Sequence, residues 1–402
     1  MILLLAQQVV SAQTLDTVST GAGYANQVWY SLANDNQGSA PKTNWDIAFD
    51  ASPFGAAVLA NTITGTTVWV YAAGDTTDWL TVDTAGLSTW PKYYNSDTSW
   101  AIGAFNQATS SSFDMGWGIY SPITHYVTGD SIYIVKLANN TYRKLWIVQL
   151  ASSTYQFRYA TLDNSSDQTV SLVKTNYAGK NFAYYSMQND LALDREPVSA
   201  DWDLLFSQYT AFIPTPYTVT GVLSNIGVTV AEAIPVNVNT VQWTNHTFVT
   251  PMNEIGYDWK TLNMSTFTFD ITDSLVYFVQ TQNGDIWKVI FTGFGGSANG
   301  NYIFTKELVS LTGTPEQAQI LFMELYPNPA NDNATLSFST KTIAETMLTV
   351  TDLTGKKVYE SKQAGNSGLQ QISLDTESWN AGMYIVTLQA EGKTQCKKLI
   401  VQ

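Results

Sequence analysis

Two histidines, His125 and His246, and one cysteine, Cys396, are all the imidazole and thiol chemistry available in this 402-residue sequence. A Ser-His-Asp relay or a zinc-protease helix has little to build on, and none of H-E-x-x-H, G-x-S-x-G or the P-loop pattern occurs. Carboxylates are the remaining catalytic option. Asp46 and Asp203 each follow a tryptophan, Trp45 and Trp202. Beside Trp they read as strand-end or turn-capping groups rather than as a glycosidase pair. Asn34-Asp35-Asn36 and the run Asp163 to Asp167 offer oxygen ligands, but neither has EF-hand spacing. The expectation is no catalytic residue, no metal site and no enzyme. Aromatic chemistry is plentiful, with 13 Trp and 22 Tyr. Exposed rings stack on sugars, whereas rings at alternating strand positions fill a core.

The elements that position these side chains are strands. Short β-rich runs such as Thr67-Val68-Trp69-Val70-Tyr71, Ser131 to Leu137 and Lys144 to Leu150 are punctuated by Gly, Asn, Asp and Ser, as in sandwiches and barrels. An all-β fold follows. Hydrophobic residues are 45% of the chain, enough for packed cores, and charged residues are only 13%. The net charge of −14 argues against nucleic acid and against anionic membrane surfaces. From Glu324 onward seven Lys face eight Asp or Glu, so the acidity belongs to the preceding body. A single cysteine leaves no internal disulfide framework. No run approaches the ~18 apolar residues of a membrane span. The opening Met1-Ile2-Leu3-Leu4-Leu5-Ala6, then Ser11-Ala12-Gln13, is a short apolar stretch ending in a small-x-small pattern, so residues 1–13 are expected to be a signal peptide that lacks a basic n-region.

The body repeats itself. Trp45-Asp46-Ile47-Ala48-Phe49 recurs as Trp202-Asp203-Leu204-Leu205-Phe206, and Trp29-Tyr30-Ser31 upstream corresponds to Tyr184-Tyr185-Ser186. Downstream, Asp130 to Val135 matches Asp273 to Val279. Each is followed by a turn, Asn139-Asn140 or Asn283-Gly284, and a second strand. Two copies of one β-domain are expected at 14–172 and 173–312, then a polar linker at 313–323 and a tail at 324–402.

The tail opens Leu325-Tyr326-Pro327-Asn328-Pro329-Ala330, continues with a hairpin through Asp352, Gly355 and Lys356 and the strand around Gly382 and Tyr384, and closes Lys397-Lys398-Leu399-Ile400-Val401. In that order these marks resemble the type A C-terminal sorting domain of type IX secretion cargo. The resemblance implies a small immunoglobulin-like β-sandwich read by the outer-membrane translocon and often removed by a sortase-like enzyme. It implies a protein that is secreted or held on the outer cell surface.

The repeats resemble the HmuY-like family of haem-binding surface proteins, through the W-D strand and the hairpin carrying Tyr277-Phe278-Val279, Gly284, Lys288-Val289 and Phe291. The first repeat departs by having Asn140 for the glycine. The resemblance implies two tandem HmuY-like β-domains and names haem as the candidate cofactor. Carried over by position, one axial ligand falls five residues after Trp259, on Met264, and the other on His246, a His/Met pair of the kind haem accepts. The first repeat has Pro122 at the ligand position, which cannot ligate. Asn245-His246-Thr247 and Asn263-Met264-Ser265 are also sequons, which suits exposed loops. The sequence reading is therefore a type IX-exported binding module of unknown ligand, with haem the named candidate. Its rival is a structural, adhesive or carbohydrate-binding surface protein without a haem site.

Overall fold

The computed structural model describes residues 13–402 except 112, 311–319, 341–344, 353–354, 364–367 and 391–392. The expected signal peptide, save Gln13, and most of the expected linker lie outside the described residues. The chain divides into two compact units, Met1–Leu311 and Thr312–Gln402. Both are built of antiparallel strands, and the α-helix Gly296–Asn299 is a single turn. The all-β expectation holds.

The first unit contains two sandwich lobes with the same strand order. In lobe 1 an inner sheet, Leu191–Leu193, Phe182–Ser186, Ile47–Asp50, Val58–Ala60, faces an outer sheet, Thr67–Val70, Ile132–Lys136, Tyr142–Ala151, Thr154–Ala160, Gln168–Val173. In lobe 2 the inner sheet is Asp35–Pro41, Asn26–Ser31, Leu204–Phe212, Pro216–Ser224. Its outer sheet is Thr229–Ala233, Val276–Gln280, Ile286–Phe294, Asn301–Ser310, Thr14–Ser19. Position for position these are the same sheets.

Lobes and sequence repeats are out of phase. The boundary read between 172 and 173 falls inside the strand Gln168–Val173. Lobe 1 is the continuous stretch 45–193, and lobe 2 is assembled from 14–41 together with 202–310. Each repeat thus sends its first three strands to the sandwich completed by the other. Thr14 pairs with Lys306 and Ser19 with Asn301 at the end of the body. Val28 and Tyr30 pair with Phe206 and Leu204, as Ala183 and Tyr185 pair with Phe49 and Ile47.

The side-chain alternation of the strands explains why both faces of the inner sheets are apolar. Val28 and Tyr30 point into the lobe 2 core with Phe206, Val222, Trp259 and Phe304, while Trp29 between them points the other way. Ala183 and Tyr185 enter the lobe 1 core with Phe49, Trp117 and Phe157, and Phe182 and Tyr184 face outward from it. Those outward faces are covered as well, because the two inner sheets lie back to back, with Trp100 packed against both apolar clusters. A strand buried on both faces reads as a continuous apolar run, which is what Phe182-Ala183-Tyr184-Tyr185 shows. Full burial of each such side chain stabilises by about 1.5–3 kcal/mol.

The expected hairpins are present. Asn140 and Gly284 occupy the same turn position with φ of 65° and 89°. Glycine takes this left-handed conformation without penalty, and asparagine is among the few other residues that visit it routinely. The substitution of Asn140 for glycine therefore leaves the turn intact.

The tail unit has two sheets, Ile320–Tyr326, Asn333–Thr340, Gly368–Asp375 and Lys357–Gln363, Thr346–Asp352, Gly382–Ala390, Lys393–Val401. Leu336, Phe338, Leu348, Val350, Val386, Leu388 and Leu399 meet between them.

Candidate functional site

The structure does not bring His246 and Met264 together. His246 ends the short turn Trp243–Asn245, its N–H donating to the Trp243 carbonyl at 3.1 Å. Its ring lies 5.9 Å from that of Phe278, on the outward face of the lobe 2 outer sheet. Met264 begins the tip of the hairpin formed by Lys260–Asn263 and Thr268–Ile271 and is 70% exposed. An axial thioether requires an apolar pocket around the iron, and Met264 stands in solvent. His125 occupies the matching hairpin tip in lobe 1, its Nδ1 2.8 Å from the Tyr120 hydroxyl. Phe267 takes its place in lobe 2, with nearly the same φ, 56° against 59°.

Asp46 and Asp203 are turn-capping groups. Asp46 accepts from the Gln188 N–H at 3.1 Å and from the Ser186 hydroxyl at 3.2 Å. Asp203 accepts from the Leu32 N–H at 2.8 Å. Each carboxylate caps the turn after a strand supplied by the other repeat, and so locks the strand exchange. Burial raises Asp203 to about 6.

A cavity of about 70 Å³ lies at the seam between the two inner sheets. Trp45, Trp100 and Tyr209 supply aromatic wall, Asn61, Asn95 and Gln208 supply amides, and no charged residue lines it. Three of its lining side chains carry buried polar atoms without a hydrogen-bond partner among the described residues: Trp45 Nε1, Asn61 Oδ1 and Tyr209 Oη. Arg195 positions one wall. Its guanidinium lies 5.8 Å from the Trp45 ring, 5.3 Å from Trp29 and 4.8 Å from Tyr184, and donates to Gln27 Oε1 at 2.6 Å. Trp100 is fixed by donating to the Ser224 carbonyl at 2.8 Å.

The cavity exists because two equivalent corners are finished differently. Asn61 and Asn225 follow the matching strands Val58–Ala60 and Pro216–Ser224. Asn61 donates to the Lys42 and Trp45 carbonyls, and Asn225 donates to the Ser199 and Trp202 carbonyls. Asn225 Oδ1 accepts from Asn181 at 2.7 Å, whereas Asn61 Oδ1 is left facing no donor. None of these cavity residues was singled out from sequence as a site. The recurrence of Val58-Leu59-Ala60-Asn61 as Val222-Leu223-Ser224-Asn225 was the available signal.

In the tail, the opening and closing marks meet. Asn328 donates through Nδ2 to the Lys398 carbonyl at 2.7 Å and accepts through Oδ1 from the Ile400 N–H at 2.9 Å. The Ala330 N–H donates to the Ile400 carbonyl, and the Gln402 N–H donates to the Ala330 carbonyl. Flanked by Pro327 and Pro329, which cannot donate, Asn328 uses its side chain as the pairing group. Lys397 is 2.7 Å from Glu324, and Tyr326 is exposed. Gly382 pairs with Val401, and the Tyr384 hydroxyl donates to the Asn380 carbonyl at 2.7 Å.

These features define an all-β body followed by a small sandwich whose first and last segments are bound together. Residues 324–402 match the family described as the Secretion system C-terminal sorting domain. No curated protein matches the chain. The tail marks a protein exported by the type IX system, handled by its secretion machinery, and secreted or attached to the outer cell surface. Among the described residues no helix is long and apolar enough to cross a membrane.

Proposed function

We propose that the body is a non-catalytic, surface-displayed module that binds neutral carbohydrate, giving the protein an adhesive role after export. The single observation that carries this reading is the seam cavity, with aromatic walls, amide and hydroxyl groups, and no charged lining residue. Sugar recognition needs ring stacking plus neutral hydrogen-bonding partners. The relation of the lobes to HmuY-like domains, and of the tail to immunoglobulin-like sandwiches, belongs to the same reading and rests on the sequence motifs. Haem is the less supported ligand. Pockets for such ligands run to ~300–1,000 Å³, while the seam cavity is about 70 Å³ and contains neither His246 nor Met264.

The test is a glycan array probed with the purified full chain, beside a haemin titration followed in the Soret region. Binding to neutral glycans with an unchanged Soret band supports the proposal. A Soret shift abolished by His246→Ala or Met264→Ala, with a blank array, would replace it with the haem reading.

A further inference from the structure

Independently of what the body binds, we propose that Gln13 is the first residue of the exported protein and closes on itself to pyroglutamate, a cap on the strand that seals lobe 2. The place of the cut follows from residue size. A leader is released after a small residue in an A-x-A-like setting. Ala12 suits that position, with Val10 two residues before it, and Gln13 is too large for it. The leader expected at 1–13 therefore ends one residue earlier, and hydrolysis of the Ala12–Gln13 bond leaves a glutamine with a free α-amine.

The chemistry needs no co-reactant. The uncharged α-amine of a terminal glutamine attacks its own side-chain carbonyl carbon. A bond forms between the α-nitrogen and Cδ, the bond from Cδ to Nε2 breaks, and ammonia leaves. The product is a five-membered lactam, and the positive charge of the terminus goes with the amine. Gln13 is exposed, and Nε2, the atom that leaves, donates to the Thr305 hydroxyl at 2.6 Å. Water takes over that exposed hydroxyl at little cost.

The fold says what such a cap guards. Strand Thr14–Ser19 pairs with Asn301–Ser310 at the edge of the lobe 2 outer sheet. Its outer end is weakly anchored: Thr14, Leu15 and Thr17 are exposed, Leu15 by 69%, and the first buried side chain is Val18. Chain ends of this kind open locally and are where proteolysis begins. Asp16 lies within that weakly anchored end. It accepts from the Tyr30 hydroxyl and lies 3.7 Å from the buried Lys306 ammonium, which also sits 4.8 Å from the Tyr30 ring. Trimming from Gln13 through Asp16 removes one of the two carboxylates that hold Lys306, the other being Asp35. An aminopeptidase needs a free α-amine, and the lactam offers none. The matching strand of lobe 1, Gln168–Val173, lies within the chain and has no end to guard.

The experiment uses the full chain, expressed with its own leader in cells that carry the type IX machinery, and mass spectrometry of the first peptide of the exported protein. That peptide is expected to begin at Gln13 and to be lighter than its free-amine form by one ammonia. A free amine on Gln13, a different first residue, or a lactam that forms only on storage of the purified protein would overturn the modification. The guarding role is read by incubating the folded protein with an aminopeptidase and following hydrogen exchange. Wild type is expected to keep its first residue and its protection across Asn301–Ser310. Gln13→Ala, which cannot cyclise, is expected to be trimmed past Asp16 and to lose that protection. Gln13→Asn, whose side chain is one carbon too short to close the ring, gives the same reading with an amide retained. Resistance of both variants equal to that of wild type would overturn the guarding role.

Discussion

The two lobes of the body have the same nine-strand plan, yet one is continuous in sequence and the other is closed by the strands at 14–41. Lobe 1 runs from Trp45 to Leu193, with every pairing of its two sandwich sheets inside that stretch. Lobe 2 needs Thr14–Ser19 and Asn26–Ser31 to cover Asn301–Ser310 and Leu204–Phe212. Closing a loop of nearly the whole body carries an entropic cost that grows only slowly with length. A local set of contacts must nevertheless hold the closing strands. Lobe 2 has one: the Tyr30 hydroxyl donates to Asp16, and Lys306 pairs with Asp35 and Asp16. In lobe 1 the matching Tyr185 donates to Asp190, with Tyr159 where lobe 2 has Lys306. The ion-pair version belongs to the lobe that must be closed from a distance.

The largest expected effect separates the lobes outright. Deleting residues 14–41 should abolish protection from hydrogen exchange across 204–310 and leave 47–193 protected. Loss of protection in both would show that lobe 1 cannot stand without lobe 2. A smaller contrast comes from the matched core tryptophans. Trp259 stacks on Phe291 at 4.1 Å, and its Nε1 is unpaired among the described residues, whereas Trp117 Nε1 donates to the Ala56 carbonyl at 2.9 Å. Trp259→Ala should lower stability in denaturant titration by about 3–5 kcal/mol. Replacement by Phe should cost lobe 1 about 1 kcal/mol more than lobe 2, the value of one hydrogen bond. Equal costs would mean that the Trp117 bond contributes nothing.

A third contrast is in pH. Glu196 follows the last strand of lobe 1 and has no acidic counterpart at the matching position, Pro41. It accepts from the Phe182 N–H at 2.6 Å and the Tyr184 hydroxyl at 2.7 Å. Burial raises it to about 7 from an ordinary 4.5. A carboxyl raised on folding contributes stability that is fully present below about 4.5 and is lost as pH climbs through about 7. Glu196→Gln should flatten the stability profile across that window by on the order of 3 kcal/mol, and an unchanged profile would remove the assignment. The smallest effect tests the unequal corners. Asn181→Ala should cost about 0.5–1.5 kcal/mol in denaturant titration, since Asn225 Oδ1 loses one of two donors and keeps the Ile226 N–H, whereas Asn61 Oδ1 has no such partner to lose.

Much of the fold was legible because its signals are local. The β-rich runs, the Asn139-Asn140 and Asn283-Gly284 turns and the recurring Trp-Asp motif each depend on a few neighbouring residues, and the strands and hairpins formed where these placed them. The candidate site was far less legible. The pairing of His246 with Met264 assumed that a family spacing would become proximity. The hairpin instead carries Met264 to its solvent tip, and His246 packs on Phe278. Asn61, Tyr209 and Trp100 meet from separate strands and a loop, and no spacing between them carries a period that a single sequence displays.

Sequence alone determined the export tail, since Tyr326 to Ala330 and Lys397 to Val401 form a specific ordered pattern. It also determined the all-β class, the acidic body and the twofold repetition. Tertiary structure alone decided which repeat's strands complete which sandwich. Alternation specifies which face of a strand is buried, while hydrogen-bonding edges are alike, so nothing in Thr14–Ser19 names Asn301–Ser310 as its partner. The same holds for the seam cavity. It appears only when two similar inner sheets pack back to back and Asn181 fills one of two equivalent corners.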